Sequence, residues 1–102
     1  MAKKIKCIIK RPDEQFGHMT WVSDSLENLQ KTVGGYIETV TIAKDACLIC
    51  NEEGRLLDLR PQNVLGMEFY GNVLLVGVKG DRFTDVPEGI IKRLEEKGYE
   101  FF

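Results

Sequence analysis

The sequence predicts an α+β domain: a mostly antiparallel sheet of five or six strands with two helices, at about 24–33 and 86–97. Three observations carry that expectation. Two segments begin on capping residues, keep apolar side chains at helical spacing and stop at glycine. Most of the remainder runs in short alternating or β-branched stretches punctuated by Gly, Pro, Asn and Asp. Asn51-Glu52-Glu53-Gly54 has the turn chemistry of a hairpin, which joins antiparallel strands. A length of 102 residues, with no repeat, linker or low-complexity stretch, predicts one domain over 1–102.

Lys4 to Lys10 opens the sheet. Ile5, Cys7 and Ile9 are predicted to face a core while Lys4, Lys6 and Lys10 face water, and Ile8 marks a partly covered outer face. Pro12 ends the strand, since proline removes a ladder donor. Residues 17–22, carrying Met19 and Trp21, form a second extended segment. Asp24 and Glu27 read as a capping box with Asp24 at the N-cap, and Leu26, Leu29, Gln30 and Val33 then share one helical face. Gly34 suits the left-handed residue that closes a helix, and Gly35 lets the chain reverse into a strand over Tyr36 to Ile42.

Asp45 to Cys50 is the next strand. Asn51-Glu52-Glu53-Gly54 predicts a type I turn with Gly54 left-handed, leading through a bulged hairpin into a return strand over Arg55 to Leu59. Pro61-Gln62-Asn63 breaks that strand, and Val64 to Phe69 fits either class. Gly71-Asn72 is a turn feeding Val73 to Val78, apolar at most positions as a central strand is. Gly80-Asp81 ends it. Asp85 is the expected cap of the second helix, with Pro87 in its first turn, Ile90, Ile91 and Leu94 as its inner stripe and Lys97-Gly98 as its stop. The tail Tyr99-Glu100-Phe101-Phe102 is apolar enough to dock on the body, on a protein partner or on a second copy.

Composition excludes some function classes. A formal net charge of −2 argues against nucleic-acid binding through bulk electrostatics, so the bunched Lys3, Lys4, Lys6, Lys10 and Arg11 read as a solvated strand face. No apolar run approaches membrane-spanning length and the start lacks a signal-peptide core, which points to a cytoplasmic protein without membrane contact. Three cysteines, an odd number, fit reduced thiols.

Candidate chemistry is sparse. Cys47-Leu48-Ile49-Cys50 spells C-x-x-C, but on a strand its two thiols point to opposite faces, away from the helix N-terminus that activates such pairs. A structural zinc would need two further ligands, and only Cys7 and His18 remain, so no metal is expected. His18 is the single histidine and no nucleophile-elbow motif is present, so no enzyme and no cofactor are expected. Gly34-Gly35 is followed by a strand and lacks the G-K-[ST] of a phosphate loop. What remains is Tyr36, Asn51, Arg60 and Asn63, which could stack on and hydrogen-bond a small nucleotide-like ligand, with Gly34, Gly35, Gly54 and Gly71 as turn scaffold. The leading expectation is nevertheless a non-enzymatic binding module acting through protein–protein contact or self-association.

Two motif segments, Val33-Gly34-Gly35-Tyr36-Ile37-Glu38 and Asn51-Glu52-Glu53-Gly54-Arg55-Leu56, are followed by Asn63 and by Gly71-Asn72-Val73-Leu74-Leu75-Val76. In this order and spacing they resemble a family of small proteins of unknown function from tailed phages, plasmids and integrated elements of Firmicutes and other bacteria. The resemblance covers roughly residues 33–76. It implies an accessory product of a mobile element, acting in the host cytoplasm, with no catalytic residue assigned.

Overall fold

The computed structural model describes residues 3–98, in which eight strands and two helices follow one another. They are β1 (Lys4–Lys10), β2 (His18–Ser23), α1 (Leu26–Val33), β3 (Ile37–Ala43), β4 (Ala46–Asn51), β5 (Pro61–Val64), β6 (Met67–Tyr70), β7 (Val73–Lys79), β8 (Arg82–Thr84) and α2 (Glu88–Glu96). Six strands form one antiparallel sheet in the order β2-β1-β7-β4-β3, with β8 also paired to β7; β5 and β6 form a separate hairpin. The fold is α+β, as the sequence predicts.

The long apolar run of β7 is central because it is covered on both faces. Val73, Leu74, Leu75 and Val76 are all fully buried. Leu75 pairs with Ile8 on one edge and Leu48 on the other, while Gly77 pairs with both Ala46 and Thr84. Strands β1 and β8 therefore share one edge of β7 and β4 takes the opposite edge.

Period-two alternation divides the side chains between two cores. On one face, Leu29 and Val33 of α1 pack with Ile5, Cys7, Ile9, Cys47, Ile49, Leu74 and Val76. On the other, the β5–β6 hairpin, α2 and the segment leading into it bring Val64, Phe69, Val86 and Ile90 onto Ile8, Leu48, Cys50 and Leu75. Each such side chain contributes about 1.5–3 kcal/mol when fully buried. A layer lies on each side of the sheet.

Several local expectations are corrected. The N-cap of α1 is Ser25, not Asp24: the Ser25 hydroxyl accepts from the Asn28 N–H, whereas the Asp24 N–H extends the β1–β2 ladder to the Lys3 carbonyl. Leu26 is exposed, and only Leu29 and Val33 seat the helix. Asp85 caps nothing; its carboxylate accepts from the Lys6 N–H at 2.8 Å and ties the entry of α2 to β1, leaving Pro87 as a cap with no side-chain bond. Gly80-Asp81 does not simply end β7 but turns it into the short strand β8.

The predicted return strand at 55–59 does not form. Both edges of β4 are already taken, by β3 and β7, so no ladder is open to it. The chain instead winds through tight turns, with the Leu57 N–H bonded to the Glu53 carbonyl and Asp58 at a φ of 56°. Pro61 starts a strand instead of breaking one, which a proline can do at the first position of an edge strand. Leu65 and Gly66, both at positive φ, close the β5–β6 hairpin as a type I′ turn.

Lys10 is buried, against the expectation of a solvated face, because the β5–β6 hairpin covers that side of β1. Its ammonium group donates to the carbonyls of Arg11 and Glu14 and, at 3.1 Å, to Gln62 Oε1. The Gln62 amide in turn donates to the Lys10 and Gly71 carbonyls. The network is neutral apart from the lysine and joins the β1–β2 loop to β5. Residues 99–102, the apolar tail singled out in the sequence, lie outside the described residues.

Candidate functional site

The two motif segments meet in space through one side chain. Asn51, the last residue of β4, is 6% exposed. Its Nδ2 donates to the Val33 carbonyl at 3.1 Å, satisfying an orphan acceptor at the C-terminus of α1, and its Oδ1 accepts from the Glu53 N–H at 2.7 Å. Gly34, at φ 85° and ψ 19°, ends the helix in the left-handed conformation that the sequence predicts. A Cβ on Gly35 would stand 2.9 Å from Asn51 Nδ2, so the bare backbone there makes room for the amide. The Glu52 N–H then bonds the Tyr36 carbonyl at 2.8 Å. The chemistry of this arrangement is that of a clasp: it joins helix end, strand end and loop through neutral hydrogen bonds.

Gly54 has a role different from the one expected. Its φ is not positive; instead a Cβ would lie 2.5 Å from the Tyr70 carbonyl oxygen. Glycine is required by close approach of the loop to β6, not by a left-handed turn. Gly71 is left-handed at φ 91°, with its N–H bonded to the Arg60 carbonyl.

The four candidate ligand residues do not line one cavity. Arg60 lines a cleft of about 370 Å³ together with Gly34, Gly71, Asp13, Lys31 and Asn72. Asn51 lines a different hollow of about 320 Å³, beside Glu38, Arg55, Glu68 and Tyr70. Tyr36 and Asn63 line neither; Tyr36 is 63% exposed, and Asn63 stands opposite Glu68 in the β5–β6 hairpin. The Tyr70 hydroxyl donates to Glu68 Oε1, and that bond to a carboxylate raises the phenol pKa.

The cysteines sit where strand alternation puts them. Cys47 and Cys50 belong to opposite cores, and Cys7, Cys47 and Cys50 are all buried free thiols. Burial pushes each thiol up to about 11 from an ordinary value of 9.0, with Glu38 adding to the effect at Cys50. A raised thiol pKa favours the protonated folded state, so this stability is complete below pH 9 and is lost as pH rises from there through about 11. Native protein at pH 8 is expected to react with a thiol reagent at least tenfold more slowly than urea-unfolded protein. Equal rates in a stopped thiol-labelling assay would overturn this. Among the described residues no group of three or more His, Cys, Asp or Glu is arranged to hold a metal ion, and no helix is long and apolar enough to cross a membrane.

One feature the sequence reading passed over is the pair Leu56-Leu57, taken for part of a return strand. Leu56 is 82% exposed and Leu57 52%. The loop that carries them is held at both ends: the Asn51 amide and Tyr36 carbonyl hold Glu52 and Glu53, the Leu59 N–H bonds the Gly54 carbonyl, and Leu59 packs where a Gly71 Cβ would stand. The available signal was an adjacent apolar pair between Arg55 and Asp58, directly after a turn motif.

A family model described as "Domain of unknown function (DUF3846)" matches residues 5–98. The match extends well beyond the 33–76 stretch that carries the sequence resemblance. No curated protein and no solved structure matches the chain.

Proposed function

We propose, from the premise that the chain belongs to the DUF3846 family, that it is a non-enzymatic binding module whose 52–59 loop docks on another protein in the cytoplasm. The accessory role in a phage, plasmid or integrated element implied by the sequence resemblance is part of the same reading. The observation that carries it is the exposed Leu56-Leu57 pair on an anchored loop. Exposed apolar side chains scattered singly need no explanation, but two adjacent ones on a preorganised loop lower the ordering cost of binding. Charged neighbours Glu52, Glu53, Arg55 and Asp58 supply the polar rim that such a contact needs.

The reading is tested by affinity capture from a cytoplasmic extract of a cell that naturally carries the gene. Wild-type protein is expected to retain a discrete protein, and Leu56→Asp/Leu57→Asp to lose at least tenfold of it. The unfolding free energy of the variant in urea should stay within the ~0.5 kcal/mol typical of surface changes. No specific protein on wild type, or equal retention by the variant, defeats the proposal.

A further inference from the structure

We propose that β2 pairs antiparallel with β2 of a second copy of this chain, forming a twofold-symmetric dimer with one continuous sheet. The inference deepens the binding-module reading by naming one partner, and it uses a surface separate from the 52–59 loop.

The sheet has two terminal strands, and they differ in how they are guarded. Strand β3 carries Glu38 and a register shift between Thr41 and Ala43, both of which discourage edge-to-edge pairing. Strand β2 reads His-Met-Thr-Trp-Val-Ser: it holds no proline, no lysine and no carboxylate, and its register with β1 is unbroken over six residues. No described residue pairs with its outer edge. Trp21 is 57% exposed, Met19 37% and, just before the strand, Phe16 48%.

The direction of the backbone groups follows from alternation. The Asp24 N–H bonds the Lys3 carbonyl at 2.7 Å, which makes 24 and 3 a hydrogen-bonded pair. In an antiparallel ladder such pairs alternate, so Val22 and Thr20 also turn their backbone groups toward β1. Met19, Trp21 and Ser23 therefore point theirs outward. Their side chains share the face of Ile8, since Met19 stands opposite Ile8 and Trp21 opposite Lys6.

These outward groups are self-complementary about a twofold axis at Thr20. Met19 then faces the second copy's Trp21, and Trp21 the second copy's Met19; both pairs exchange backbone hydrogen bonds and put a thioether against an indole. On the opposite face His18 meets the second copy's Val22, and Thr20 meets its equivalent. No like charges are brought together, which favours a second copy over a charged partner strand. A tryptophan that is 57% exposed brings about 140 Å² to the join. With Met19, Phe16 and the strand backbone, the total reaches about 1,000 Å², the small end of the range and the size of weak, concentration-dependent contacts.

The test is sedimentation equilibrium of the full chain from about 1 µM to 500 µM, with amide hydrogen exchange at both ends of the range. Wild type is expected to pass from monomer to dimer, and the Met19 and Trp21 amides should slow at least tenfold at high concentration while the Val22 amide stays protected throughout. Trp21→Lys should remain monomeric at 500 µM with an unchanged circular dichroism spectrum. A wild-type monomer over the whole range, or a dimer that survives Trp21→Lys without slowing of the Met19 amide, overturns the inference. So does binding of another protein's strand to monomeric wild type in place of self-pairing. Each of these failures leaves Leu56-dependent capture intact, so it is distinguishable from failure of the binding-module reading.

Discussion

Gly54→Ala is expected to destabilise the protein by about 3 kcal/mol, at the upper end of ordinary overpacking. The added methyl would stand 2.5 Å from the Tyr70 carbonyl oxygen and 2.9 Å from Tyr70 Cβ, and the first of these is backbone in a paired strand. Neither side gives easily, because the loop is held by the Asn51 amide and β6 is held by β5. With a urea slope of about 2 kcal/mol per molar, the denaturation midpoint should fall by roughly 1.5 M. Gly34→Asn supplies the contrast. Gly34 is left-handed with its nearest neighbour 3.8 Å from a Cβ, and asparagine tolerates that conformation, so the cost there should stay below about 1 kcal/mol. A Gly54→Ala midpoint within 0.5 M of wild type would mean that glycine is there for some other reason.

Asn51→Ala should cost about 2–3 kcal/mol, because it leaves the Val33 carbonyl and the Glu53 N–H without their buried partner. Asn51→Asp is the more informative change. Its ionised carboxylate would keep the bond from the Glu53 N–H but set an oxygen against the Val33 carbonyl, where only a donor fits. Protonation restores a donor, so the folded-state pKa of the new carboxyl lies above its unfolded value. The stabilising contribution is then present below about pH 4 and lost as pH rises through the folded pKa. Urea denaturation at pH 4 and pH 7 should show the gap to wild type shrinking at the lower pH; a gap independent of pH would disprove this account of the clasp.

The clasp shows where sequence reasoning succeeded and where it stopped. Gly34 could be read as a helix terminator because the task is local: a helix must end, and a left-handed residue ends it. Asn51 could be read as a turn amide, which is half of what it does; its second bond reaches back to Val33 across the fold. Gly54 was misassigned because a left-handed turn and a close backbone approach leave the same mark in sequence. The cap shifted by one residue, from Asp24 to Ser25, because the β1–β2 ladder runs one pair further than the strand pattern shows.

The candidate ligand residues are dispersed for a related reason. Tyr36, Asn51, Arg60 and Asn63 were grouped by position at the ends of strands, and strand ends converge only if the pairing order brings them together. Here Asn63 falls in a separate two-stranded sheet and Arg60 on a cleft with the helix end, while the Asn51 amide is bonded to Val33 and Glu53. Leu56-Leu57 was overlooked because a return strand would have hidden them.

By itself the sequence determined the class of fold, the two helices, the central burial of Val73 to Val76 and the split of Cys47 and Cys50 between faces. All of these depend on periodicity and on chain-neighbour geometry, which act within a few residues. Only the tertiary structure decided that β4 pairs with β3 and β7, that a hairpin covers Lys10, and that the outer edge of β2 has no strand partner among the described residues. A strand carries no label for its partner; which edges stay open is settled when all the strands compete for the same hydrogen bonds.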